Sequence, residues 1–325
     1  MNQVNGKTAA LHIATYSGWY RFEQRYSGWA QTDKALTFWK MTSMQIDPDD
    51  GCHVYIATEH SGLFVTHDGG AQWQRAKPNV PRLTTNALLA LPGAIFAGTW
   101  PAALYRASNG SRWQELEDVR LGATGGSFPP SPELSARVRF LAADNETPRR
   151  LFAAIEVGGM LVSDDDGEHW SQVTAGLADR DVHQILPSAH NRGVVVAACG
   201  EGIYRSEDRG DHWQKITPNG ARTFGSSVTE DGSGAIYLGI ALDRPNTWLR
   251  KDRANSALFV SQDGGVRWEA VIEGLTGGIM AMSPGIGGDG VFVSTSEGDV
   301  LSVNGTGSRT IISGLPSITA LALGA

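Results

Sequence analysis

Glu59 and Glu156 are the residues of this chain best suited to move a proton. Each follows a short apolar run, Val54-Tyr-Ile-Ala-Thr58 and Leu151-Phe-Ala-Ala-Ile155, and each opens a turn. Two carboxylates brought together can divide acid and base work between them. His60, next to Glu59, has the chemistry of a proton carrier or a metal ligand. Arg82, Arg137, Arg180 and Arg222 each stand just before another short apolar run. Guanidinium groups that converge on one point grip a carboxylate or phosphate through paired hydrogen bonds. Trp100, Trp248 and Tyr16 fall in or beside connections like those of the glutamates, and offer flat faces to a sugar or aryl ligand. The competing reading is plain. Polar residues are common in turns, where water solvates them, and the arginines have Asp181 and Glu117 nearby in the chain as partners.

These residues are far apart in sequence, so a repeat must bring them together. The chain has one. Thr66-His-Asp-Gly-Gly-Ala-Gln-Trp73, Ser163-Asp-Asp-Asp-Gly-Glu-His-Trp170, Ser206-Glu-Asp-Arg-Gly-Asp-His-Trp213 and Ser261-Gln-Asp-Gly-Gly-Val-Arg-Trp268 share the form Ser/Thr-x-Asp-x-Gly-x-x-Trp, here called the box. Arg106-Ala-Ser-Asn-Gly-Ser-Arg-Trp113 keeps only the Gly and the Trp. Each intact box follows an apolar run and has the chemistry of a hairpin turn. The carboxylate accepts backbone N–H groups of its own turn, the glycine supplies a positive φ, and the tryptophan opens the next strand and covers the turn.

About twelve residues upstream of the boxes lies a second recurring strand. It reads Leu11–Thr15, Val54–Thr58, Ala94–Gly98, Leu151–Ile155, Val194–Ala198, Ile236–Ile240 and Val291–Thr295. A spacing of roughly 40 residues points to the four-stranded blades of a propeller. Further apolar runs, such as 41–46, 87–91, 138–143, 182–186 and 279–282, supply an inner strand A. The recurring strand is then B, the run before the box C, and the strand after the box tryptophan D. The expected fold is all-β: one seven-bladed propeller over residues 1–325. The chain opens on a B strand and ends on a lone apolar run, Ile318–Leu323, which is the missing A strand of the same blade. Pairing the two ends closes the ring and removes two exposed edges.

The box spacing resembles the Asp box, or bacterial neuraminidase repeat, of sialidases, some xyloglucan hydrolases, sortilin-type receptors and photosystem assembly propellers. The resemblance implies a propeller with the boxes on C–D turns, away from any active site. It implies no single function, because those families do unrelated things. Sialidases hold a sialate carboxylate with an arginine triad, yet their Phe/Tyr-Arg-Ile-Pro motif is missing here. Val80-Pro-Arg-Leu83 does not match it. Sialidases are also six-bladed, and the strand rhythm here gives seven.

In such blades the B–C and D–A connections share one face and the boxes share the other. Two insertions, near 118–136 and near 241–257, fall on the face without boxes. Function tends to gather on long loops at one end of a rigid scaffold. The B–C turns there open with Tyr16, Glu59, Thr99, Glu156, Cys199, Ala241 and Ser296. Two functional readings follow. One is a hydrolase-like or lyase-like enzyme acting on a small polar or glycosidic ligand, with Glu59, Glu156 and His60 catalytic and Arg82, Arg137, Arg180, Arg222, Trp100, Trp248 and Tyr16 binding. The other is a non-catalytic binding or assembly propeller for a protein or carbohydrate partner.

Composition narrows the partners. A formal charge of −7 with no Lys/Arg run argues against nucleic acid. Two cysteines, Cys52 and Cys199, imply no disulfide framework. No apolar run reaches membrane-span length, and Met1-Asn-Gln-Val-Asn-Gly-Lys-Thr is not a leader, so a cytoplasmic protein is expected. The sequence names no cofactor or metal and no oligomeric state. A metal held by histidines of different blades requires His12 and His183 to point inward.

Overall fold

The structure, a computed structural model, describes residues 3–4, 7–108, 111–119, 136–173, 175–216, 218, 222–248, 254–305 and 307–324. Seven sheets of four antiparallel strands stand in a ring. Their inner A strands, from blade 1 to blade 7, are Ile318–Gly324, Met41–Ile46, Thr85–Leu91, Arg137–Ala143, Val182–Pro187, Phe224–Glu230 and Ile279–Pro284. Blade 1 is built from both ends of the chain. Leu11 pairs with Leu323, Ile13 with Leu321 and Thr15 with Ile318.

The B strands are apolar on both faces because each face meets a different neighbour. In blade 4, Leu151, Ala153 and Ile155 pack towards blade 3, whereas Phe152 and Ala154 pack towards blade 5. Period-two alternation thus sends successive side chains into two separate cores. Seven such clusters occur, one between each pair of adjacent blades. An eighth, of Phe224, Ala241, Trp248 and Ala254, belongs to blade 6.

The intact boxes form as their residue types require. Ser261 Oγ donates to Asp263 Oδ1 at 2.9 Å and accepts from the backbone N–H of Gly265 at 2.8 Å. Asp263 Oδ1 accepts the N–H of Arg267 at 2.8 Å. Gly265 sits at a φ of 85°, and Trp268 Nε1 donates to its carbonyl at 3.1 Å. The boxes at Asp165 and Asp208 repeat these bonds. Each box glycine also admits a side chain from the preceding blade. A Cβ on Gly70 would meet Trp19 at 2.0 Å, and one on Gly167 would meet Phe96 at 2.9 Å. Trp19 is therefore an interblade wedge, fully buried and 5.1 Å from Trp73.

All seven A strands carry one extra residue near their start. In blade 4, Val138 pairs with Ile155 and Phe140 with Ala154, which leaves Arg139 without a ladder partner. The same shift isolates Thr42, Asn86, His183, Ser226, Met280 and Thr319 in the other blades. A bulge of this kind re-aims its extra side chain. Here all seven line one cavity.

Candidate functional site

The cavity is the mouth of the central channel on the face without boxes, with a volume of about 410 Å³. The seven bulged residues form its floor. Two of them also tie blade to blade: Thr42 Oγ1 donates to the carbonyl of Thr85, and His183 Nδ1 lies 2.7 Å from the carbonyl of Gly225. Above the floor stand residues from the B–C turns and D–A loops, among them Tyr16, Lys40, Glu59, Glu156, Asp181, Arg244 and Trp248.

The funnel carries most of its charge on one side and its aromatic and aliphatic surface on the other. Blades 2 to 5 supply Lys40, Glu59, Asn86, Arg137, Arg139, Glu156, Asp181 and His183. Blades 6 and 7 supply Phe224, Trp248, Ile279 and Met280, with Ser226 on the floor and Arg244 and Asn246 at their rim. Trp248 is a wall rather than an exposed platform. It is buried, donates from Nε1 to the carbonyl of Asp243 at 2.7 Å, and lies so close over Gly278 that a Cβ there would meet the ring at 1.9 Å.

Two carboxylates on the polar side, Glu156 and Glu59, are paired with cations, and Asp181 lies against His183. Arg137 Nε donates to Glu156 Oε2 at 2.8 Å while its Nη2 donates to Oε1. Arg139 Nε reaches Glu156 at 3.5 Å. Burial pushes the Glu156 carboxyl up, but the bonds from Arg137 and the charges of Arg139 and His183 outweigh it, and the group ends below its ordinary value. Burial pushes Asp181 up too, and His183 with the nearby arginines brings it down. Glu59 accepts from Lys40 Nζ at 3.0 Å, and that ammonium lies 4.5 Å over the Tyr16 ring. His183 Nε2 is 3.3 Å from Asp181 Oδ1.

Of the residues singled out from sequence, the funnel brings together Glu59, Glu156, Arg137, Tyr16 and Trp248. The others lie off its wall. Arg82 directs Nε to the Tyr105 hydroxyl at 3.2 Å, and Arg222 is bound to Asn255 and Glu273. Arg180 is exposed. The strand rhythm put all four arginines before an A strand, but only Arg137 stands within one and faces the channel. His60 is exposed, with Nε2 3.9 Å from Glu59, and Trp100 is 40% exposed at the rim. Of the 118–136 insertion, 120–135 lies outside the described residues, as do 249–253 of the other.

Sequence reasoning missed Arg139, Asn86 and Met280 as a set, because a bulge leaves no mark in hydrophobic periodicity. His183 does point into the funnel. His12 does not join it; it is buried beside Trp19 at 5.6 Å between ring centroids. Among the described residues no group of three His, Cys, Asp or Glu is placed to hold a metal, and no helix is long and apolar enough to cross a membrane.

No family model matches the chain, and no curated protein does. Solved structures do. The GH74 xyloglucanase from Xanthomonas campestris superposes with a TM-score of 0.70 at 15% identity, over 97% of this chain and 52% of its own. An ancestral GH74 enzyme gives 0.64 at 18% identity, over 87% of this chain and 38% of its own. The chain therefore spans about half the length of these enzymes or less. YCF48 from Cyanidioschyzon merolae gives 0.62 at 14% identity, over 91% of this chain and 96% of its own. A xyloglucanase and YCF48 lie on the same scaffold, and at such identities what is shared is the scaffold: the chain is a seven-bladed β-propeller.

Proposed function

We propose that this protein is a non-catalytic binding propeller that captures a small polar molecule in the channel mouth opposite the boxes. One observation carries the reading: Glu156 and Glu59 each accept a bond from a cation, Arg137 and Lys40, and Asp181 lies 3.3 Å from His183 Nε2. A glycosidase needs one carboxyl that keeps its proton at working pH, and enzymes obtain it by raising that group's pKa. Glu156 and Asp181 are held in the opposite direction. A rigid, preformed funnel of about 410 Å³ lies within the range of small-ligand sites. We read the repeated turn as the Asp box and assign it to the scaffold, and we place the protein in the cytoplasm.

A hydrolase-like or lyase-like enzyme is the second reading, favoured by the contact between His183 and Asp181. An imidazole beside a carboxylate at the wall of a pocket can pass a proton. The readings separate in one experiment. The protein is incubated with xyloglucan and with aryl glycosides, and released reducing ends or aryl groups are measured for wild type, Glu156→Gln and His183→Ala. We expect no release above buffer from any of them. Turnover by wild type that falls a hundredfold or more in either variant overturns the binding reading.

A further inference from the structure

The polarity of the funnel sets the chemical class of what it holds. Asn86 and Arg139 occupy the bulged positions of adjacent blades, 3 and 4. Asn86 is 8% exposed, lines the funnel, and its Nδ2 finds no acceptor among the described residues. A buried amide donor left unpaired is costly, and its usual remedy is an acceptor from outside the chain. Beside it, Arg139 reaches Glu156 only through Nε at 3.5 Å. Glu156 is already held by two nitrogens of Arg137. The terminal nitrogens of Arg139 have no bonded partner among the described residues and belong to a half-buried side chain. Two sets of unused donors therefore stand side by side on one wall.

Half a turn round the ring, blades 6 and 7 offer something else. Met280 is the bulged residue of blade 7, and Phe224 and Trp248 meet edge-to-face at 6.0 Å behind the rim of blade 6. These side chains present carbon and sulfur to the same cavity. Trp248 spends its one donor on Asp243. Ser226, Asn246 and Arg244 also line this side, but the surface given by Met280, Phe224 and Trp248 suits an apolar body.

We propose that the funnel binds an organic acid with an apolar or aryl body, its carboxylate accepting from Asn86 and Arg139 and its body lying against Met280, Phe224 and Trp248. This rests on the binding reading above and narrows it from a polar molecule to an amphipathic anion. Charge-assisted bonds to a carboxylate fix one end, and the apolar wall rewards removal of the other from water. Neither wall alone distinguishes the ligand from simple acids or simple hydrocarbons.

The test is a calorimetric titration of the whole protein at millimolar concentrations of 3-phenylpropanoate and 3-(2-naphthyl)propanoate. Each is compared with its neutral amide and with propanoate, and with a xyloglucan oligosaccharide as a neutral sugar. The aryl acids should bind, and the amides and propanoate should bind about tenfold more weakly or not at all. Asn86→Ala and Arg139→Met should each weaken the acids about tenfold while leaving the melting temperature near that of wild type. Met280→Ser should weaken the naphthyl acid more than the phenyl one. Equal binding of acids and amides, no binding of either acid, or indifference to Asn86 and Arg139 each overturns the proposal. Binding of the oligosaccharide alone, lost in funnel variants, overturns the ligand class and leaves the binding reading standing. Hydrolysis of the oligosaccharide removes both.

Discussion

Arg137 and Glu156 face each other across the first rung of their blade, as Cα partners on adjacent strands joined by two side-chain hydrogen bonds. The pair fixes a charge at the rim of the channel and frees Arg139, two residues further along, for other work.

Removing half of this pair should be worse than removing both. Glu156→Gln should cost about 1–3 kcal/mol in urea unfolding, the scale for stranding a partly buried charged group. Arg137→Met with Glu156→Met should recover part of that loss. The pH dependence has a definite sign. Glu156 is depressed below its ordinary 4.5 in the folded state. Its contribution is thus complete above that value and disappears as pH falls through the depressed one. A double mutant no more stable than Glu156→Gln, or an acid limb unchanged by it, contradicts this account.

His12 predicts a second acid effect, higher on the pH scale. It is fully buried with neither ring nitrogen bonded, and burial, helped by the charge of Arg21, lowers it to about 4. The unfolded chain takes up its proton near 6.5, where the folded one does not. Stability is therefore full above that value and declines as pH falls from 6.5 towards 4, by about 3 kcal/mol if His12 acts alone. His12→Leu should flatten this limb. Urea midpoints measured at pH 7, 5.5 and 4 decide it, and parallel slopes for the two proteins exclude His12 as the cause.

The box aspartates should matter for stability and not for binding. Asp263 is held down to about 2 by the N–H of Arg267 and by its guanidinium. Asp263→Ala strands the Arg267 N–H and the Ser261 hydroxyl at an open turn, so about 1 kcal/mol is expected by denaturant titration. Ligand affinity at the opposite face should be unchanged at temperatures where the variant is folded. A normally stable variant that loses binding reverses the assignment of the two faces.

Closure of the ring depends on its last strand. Deleting residues 316–325 removes the A strand of blade 1, exposes the edge of Ala10–Thr15 and takes Thr319 from the funnel floor. Aggregation or loss of a cooperative melting transition should follow. A truncated protein that remains monodisperse and melts as before refutes closure by this strand.

The blades were legible because their physics is local and repeated. Val54–Thr58 and Val291–Thr295 were bounded correctly to the residue, since two buried faces demand an unbroken apolar run. The A strand of blade 6, Phe224–Glu230, was signalled only by Arg222 ahead of it, because Gly225, Ser226 and Ser227 interrupt its apolar run. The site was half legible. Glu156 and Tyr16 follow from the position of the B–C turn, which the repeat dictates. Arg222 followed the same spacing, yet its guanidinium turned to Asn255 and Glu273, because direction in a loop depends on the nearest acceptor and not on the period. Asn86, Arg139 and Met280 share no residue type, and what unites them is a ladder offset that appears only once strands pair.

That offset separates what the fold needs from what the funnel does. Each of the seven floor residues is excused from the backbone ladder with strand B; Ser226 and Thr319 still bond its carbonyls through their hydroxyls, but Asn86, Arg139 and Met280 have no such tie to the blade behind them. The chemistry of the floor can then be rewritten blade by blade, or turned about the channel axis. Exchanging the side chains of Arg139 and Met280, for instance, would carry a cation from blade 4 to blade 7 without altering a B strand. A scaffold with interchangeable floor tiles explains in physical terms how one ring can serve unrelated ligands.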